Sequence, residues 1–207
     1  PSPPMPSSVT RRALSSSASV TIGSAGTLAI GSNGTTVINN LSGLTGSVIL
    51  SSFNIVSDGA RTLQINQSTD GIYAGTFSQG SARTITLIKS GSAKLTLAGS
   101  SNHTGGTTIS QGTLVAVNSS ALGTSGTITI NDANTGSNNT TLNIDATGGA
   151  VTIARAITVA NQGGGTVTLG SATTSGSVSR GMAVATVQSS SWRRMKRSSL
   201  PQRKISK

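Results

Sequence analysis

The chain has 207 residues, 26 of them Gly, with only 2% aromatic and 9% charged side chains, no Cys and no Glu. That composition excludes a core built on aromatic rings and a disulfide scaffold, and it suits small Val, Ile, Leu and Ala side chains stacked in a narrow column, with Ser, Thr, Asn and Gly turning the corners. The net charge of +11 is lopsided: residues 1–180 hold eight Lys and Arg against four Asp, whereas 181–207 hold seven and no acid, so any charge argument for nucleic acid rests on the last 27 residues alone.

Residues 1–18 combine four Pro with Ser and lack periodicity, which predicts a disordered, flexible lead-in. No basic segment followed by an apolar run stands near the start, and no apolar run approaches the ~18 residues that cross a bilayer as a helix, so neither a signal peptide nor a transmembrane segment is expected in this sequence. From Ser19 onward apolar pairs recur about every ten residues: Val20 with Ile22, Leu28 with Ile30, Val37 with Ile38, Val48 with Leu50, Leu63 with Ile65, and Ile85 with Leu87. They continue with Leu95 and Leu97, Ile109, Leu114 to Val117, Ile128 and Ile130, Leu142 and Ile144, Val151 and Ile153, Ile157 and Val159, and Val167 and Leu169. Most are two apart with a small polar residue between, the signature of a strand with one buried face.

A hairpin sandwich and a solenoid both fit this beat. Hairpins call for turns such as Asn33-Gly34, Asp58-Gly59 and Asp70-Gly71, which are too few to organise the chain. Short strands with Gly- and Ser-rich turns favour an all-β, right-handed parallel β-helix over residues 19–176. At two beats per turn of ~20 residues this is about seven or eight turns and a rod of roughly 35 Å. Residues 177–207 carry a basic run around Trp192, Arg193, Arg194, Lys196 and Arg197. They are expected to be a disordered tail, with truncation or a frame change near residue 182 as the explanation of their change in character.

The stretch from Lys89 to Thr124 carries the densest pattern. Its residues Lys89, Gly91, Leu95, Leu97, Gly99, Thr104, Gly105, Gly106, Thr107, Ile109, Gly112, Thr113 and Leu114 read as Lys-x-Gly, Leu-x-Leu-x-Gly and Thr-Gly-Gly-Thr-x-Ile-x-x-Gly-Thr-Leu. In this pattern the chain resembles the autotransporter-associated β-strand repeat, also called the passenger-associated transport repeat, with Ala121, Leu122 and Gly123 matching its downstream Ala-Leu-Gly. Ala93 stands where the family has Gly, and His103 where it has Tyr. The segments 41–48, 71–78 and 154–159 resemble the family's flanking turns more loosely. The resemblance implies a parallel β-helix, and these residues are expected to be structural.

Candidate chemistry is sparse. The acids are Asp58, Asp70, Asp132 and Asp145, mostly in turns where Asp caps local backbone N–H groups, and too scattered for the calcium or acid–base cluster of a lyase-like β-helix. His103 is the single histidine, and a packing role is expected for it. There is no Cys/His metal spacing, nucleophile elbow or glycine-rich calcium repeat, so no catalytic residue, metal or cofactor is expected. The pairs Thr84 with Thr86, Thr127 with Thr129 and Thr166 with Thr168 would suit an ice-binding face only if they stacked on one flat side. Sequons such as Asn33, Asn66 and Asn139 follow from composition.

The sequence therefore points to a structural, non-enzymatic segment. What the resemblance implies is a stalk of an extracellular bacterial passenger, associated with the outer membrane, whose partners are the rest of its parent and an outer-membrane barrel. An adhesive β-helix binding surface polysaccharide, or host or biofilm components, is the alternative. Its aromatic inventory, Phe53, Tyr73, Phe77 and Trp192, is thin, and it loses its main support if Tyr73 and Phe77 point inward.

Overall fold

The alternation of apolar and small polar residues becomes strand after strand, each too short to bury a face without a neighbour stacked on it. In a computed structural model the structure describes residues 18–30, 34–50, 59–79, 83–172 and 186–187. Every strand pairing among them is parallel, and none of them is helical. The described residues form an all-β solenoid of stacked parallel strands, about six turns long where the spacing predicts seven or eight over the whole of 19–176.

One face of the solenoid stacks β3 (Gly34–Gly43), β5 (Arg61–Asn66), β8 (Ile85–Ser90), β10 (Thr107–Ile109), β12 (Ile128–Ile130), β14 (Ile157–Val159) and β16 (Thr186–Val187). A second face stacks β1 (Ser19–Ile22), the far end of β3, β6 (Gly71–Tyr73), β9 (Lys94–Leu97), β11 (Gly112–Ala116), β13 (Thr140–Asp145) and β15 (Val167–Ala172). The strand β3 belongs to both faces because it bends at Asn40, whose φ of 41° lies in the left-handed region that Asn tolerates. A third side begins as β2 (Thr27–Ala29), β4 (Val48–Leu50) and β7 (Thr76–Ser78), then continues without regular strand.

Inside, like residues stack on like. Leu63 pairs with Leu87, Ile109 with Ile130, and Leu114 with Leu142, all buried. Each buried aliphatic of this size is worth roughly 1.5–3 kcal/mol over its exposed state, so the columns supply the cohesion that aromatics give other folds.

Several expectations change. The turn is not a constant ~20 residues: Leu87 faces Thr107, yet Gly34 faces Arg61 and Ile128 faces Ile157. The extra residues sit in corner loops, on which stacking places no periodic demand. The beat Val151 and Ile153 forms no strand, whereas 71–73 and 76–78 do, each with a single inward aromatic. Asp70-Gly71 leads into the parallel strand β6. The lead-in 1–17, Asn33, Phe53, Asp58 and the basic run around Trp192 lie outside the described residues.

Candidate functional site

The patterned stretch covers one full turn and the start of the next, from β8 through β9 and β10 to β11. Its apolar residues face inward: Leu95 lies over Leu114, Leu97 over Ala116, and Ile109 over Ile130, all buried.

Lys89 breaks the apolar pattern from within. It lies between Ile65 and Ile109 in a column that continues to Ile130 and Val159, and it is fully buried. Its Nζ donates to the carbonyl oxygens of Ser90 (2.9 Å), Gly91 (2.8 Å) and Gln111 (3.0 Å), so all three donors are used and two successive corners are tied together. Burial pushes its pKa down to about 8, against the opposing attraction of the Asp70 carboxylate. Arg61 and Arg155 follow the same logic, donating to carbonyls of the neighbouring turn at Ile30 (3.2 Å), and at Leu122 and Ser125 (2.6 Å) respectively.

The glycines hold the corners. Gly91 has a φ of 75° and lies so close to Gln67 that a Cβ would strike its carbonyl oxygen; Gly106 and Gly112 also have positive φ, at 87° and 70°. Gly99 and Gly105 have no such φ but admit no Cβ, because the carbonyls of Gly75 and Ile85 in the preceding turn occupy its place. Ala93, where the resembled family has Gly, is outside the positive-φ positions. Thr104 receives the Gln79 amide at 2.8 Å and donates its N–H back to Gln79 Oε1. Thr113 points outward in register with Lys94 and Thr141.

His103 is wholly buried, edge-on to Phe77 with ring centroids 5.8 Å apart, and Phe77 in turn packs on Tyr73 at 4.9 Å. Thr107 Oγ1 donates to Leu122 O (2.9 Å), so it accepts from His103 Nε2 (3.1 Å), leaving Nδ1 buried with no hydrogen-bond partner. Burial, with the Arg155 charge adding to it, pushes the His103 pKa down to about 4. The ring is neutral packing in the interior. Tyr73 and Phe77 likewise point inward, so they offer no stacking platform to a sugar.

Asp132 and Asp145 serve their own loops, whereas Asp70 ties its corner to the next turn. Asp70 accepts the Lys94 N–H (2.9 Å) and pairs with its ammonium (3.2 Å); Asp132 receives Asn134 and Thr135; Asp145 caps Thr147 N–H. No group of three or more His, Cys, Asp or Glu that could hold a metal ion occurs among the described residues. The Thr pairs do not share one flat side: Thr86 and Thr129 lie on the first face, Thr168 on the second.

Sequence reasoning missed the corner amides. Asn40 Oδ1 accepts from the N–H groups of Ser68 and Thr69, Gln67 Oε1 from Leu41, Asn102 Oδ1 from Gln79, Asn131 Oδ1 from Gly163 and Asn139 Oδ1 from Thr166, each across one turn. Their signal was present, since each stands where a strand beat or its corner ends.

Residues 87–116, which begin in β8 and end with the last residue of β11, match the family model described as the passenger-associated-transport-repeat. No curated protein and no solved structure matches the chain.

Proposed function

Taking residues 87–116 as a passenger-associated transport repeat, we propose that the chain is a structural segment of an extracellular bacterial passenger, a stalk that carries neighbouring segments at the cell surface. Its partners on this reading are the rest of the parent passenger and an outer-membrane barrel, and residues 19–176 act as one continuous unit. The observation that carries it is the unbroken stack: inside the repeat every lumen residue rests on the turn before, through Leu95 and Leu114 or Ile109 and Lys89, and backbone N–H groups such as that of Asn102 bond back to Phe77 O (3.1 Å). A chain emerging through a membrane could add such turns one at a time, each templated by the last, and folding outside would favour onward movement. Lys89, the five glycines and the inward leucines are structural in this reading, and the chemistry is stacking rather than catalysis.

The test places the full chain between an export signal and a surrogate outer-membrane barrel, and measures the protease accessibility of an N-terminal tag on intact cells. Wild type is expected to display the tag, and Leu95→Asp with Leu114→Asp to leave it in the periplasm. Equal display by the double variant, or by a chain lacking 87–116, would overturn the reading.

A further inference from the structure

Beside the corner that Lys89 closes from within, the outer surface opens into a groove of about 390 Å³. Its walls come from successive turns: Gln64 and Asn66 of β5, Ile88 and Ser90 of β8, and Ser110 and Gln111 just after β10, with Asn134 at the far end. At the ~4.8 Å spacing of stacked strands, four turns give a length of roughly 14 Å along the solenoid axis.

The groove's unused capacity defines its chemistry. Gln64 Nε2 spans to Asn66 Oδ1 (3.0 Å) and Ser90 Oγ (3.4 Å), and Gln111 Nε2 to Asn134 O (3.3 Å). Among the described residues this leaves Gln64 Oε1, Asn66 Nδ2 and Gln111 Oε1 for a ligand. Ser110 Oγ, on a residue only 1% exposed, has no hydrogen-bond partner at all. An orphaned buried hydroxyl carries a standing desolvation penalty, which a partner reaching it from the groove would relieve.

Charge and backbone narrow the class. No ionised side chain among the described residues lines the groove, and Lys89, between Ile88 and Ser90 of its wall, is buried with every donor engaged, so neither anions nor cations are favoured. The strands β5, β8 and β10 are paired on both edges, so a peptide cannot enter by adding a strand. What remains is a neutral ligand that exchanges hydrogen bonds with amides and hydroxyls and lays a small apolar patch on Ile88. Across the same corner a second groove of about 380 Å³, with Ser92, Thr113, Asn138 and Thr141 in its walls, repeats this chemistry.

We propose that the amide- and hydroxyl-lined groove over the Lys89 corner binds a short neutral glycan along the solenoid axis. This goes beyond the stalk reading, and either can fail alone, because the display test changes Leu95 and Leu114 whereas the binding test changes Gln64 and Asn66. Without an aromatic platform the binding is weak, in the millimolar class.

The experiment is an NMR titration of the ¹⁵N-labelled full chain with cellohexaose and with maltohexaose, and in parallel with an oligogalacturonate. Saturable shifts confined to the groove with at least one neutral oligosaccharide, and binding weakened about five- to tenfold in the Gln64→Ala, Asn66→Ala double variant, are expected for the loss of one or two hydrogen bonds. Gln111→Ala is the second variant should the first lose its fold. The proposal is overturned if neither neutral sugar gives saturable shifts, if the folded variant binds as tightly as wild type, or if the oligogalacturonate binds more tightly than both.

Discussion

The turn inside the repeat and the turn that follows it are built from the same kinds of residue but differ in girth. Within the repeat Leu87 faces Thr107 and Lys94 faces Thr113; beyond it Gly112 faces Thr140 and Ile128 faces Ile157. The additional residues of the later turns leave the strands and go into the corner loops around 131–139 and 146–156. The lumen column records the consequence. Leu95, Leu114 and Leu142 are buried, whereas Leu169, next in the same register, is 50% exposed. Burial in a solenoid is given by the neighbouring turns, so a residue's worth depends on what is stacked on each side of it as much as on its own chemistry.

The largest expected effect breaks this contrast along one column. Leu114→Ala is expected to cost about 2–5 kcal/mol, because the leucines above and below cannot collapse into the gap, while Leu169→Ala, already half in solvent, should cost well under 1 kcal/mol. Urea denaturation of the two variants measures the difference. Equal losses would mean that the last described turn is covered as well as the repeat.

A second effect of comparable size distinguishes the repeat by pH. The His103 pKa lies at about 4, against an ordinary 6.5, so between those values the unfolded chain holds a proton that the native chain does not. Stability is therefore full above pH 6.5 and falls as pH drops toward 4, by at most about 3 kcal/mol, then levels for this group below 4. Asp70 and Asp145, held below the usual carboxylate range by their hydrogen bonds to Lys94 and Thr147, lose their contributions only lower still. Denaturation at pH 7 and pH 4.5 should show the slope in wild type and its absence in His103→Phe. A slope that persists in the variant would place the proton elsewhere.

The strands were legible where stacking imposes a period. Leu63-x-Ile65 and Ile128-x-Ile130 each put two apolar side chains on one face, and both are strands. The elements that escaped are those with one inward residue: β6 buries Tyr73 but exposes Ile72, and β7 buries Phe77 alone. The beat Val151-x-Ile153 misled for the converse reason, since a corner loop can bury an aliphatic side chain without pairing its backbone. Lys89 illustrates the limit at the site. A lysine beside an apolar run reads as solvated, and only the convergence of carbonyls from 90, 91 and 111 makes an interior position tolerable. Those carbonyls come from two turns, a proximity that the linear order does not display.

The smallest of these effects concerns glycines, and it asks whether the narrow girth of the repeat is itself a constraint. Gly99 has no positive φ, so the backbone alone would accept Ala there; the obstacle is the Gly75 carbonyl of the preceding turn, where the Cβ would have to go. Gly148, in the loop of a wider turn, meets nothing within 4 Å of its would-be Cβ and also lacks a positive φ. Gly99→Ala is therefore expected to cost about 1–3 kcal/mol as overpacking. Gly148→Ala should be neutral or stabilise by up to about 1 kcal/mol, through the lower entropy of the unfolded chain. Thermal melts of the two variants compare them directly. A harmless Gly99→Ala would mean that turns in the repeat can move apart by the width of a methyl group, and the tight girth would then be a habit of sequence rather than a requirement of packing.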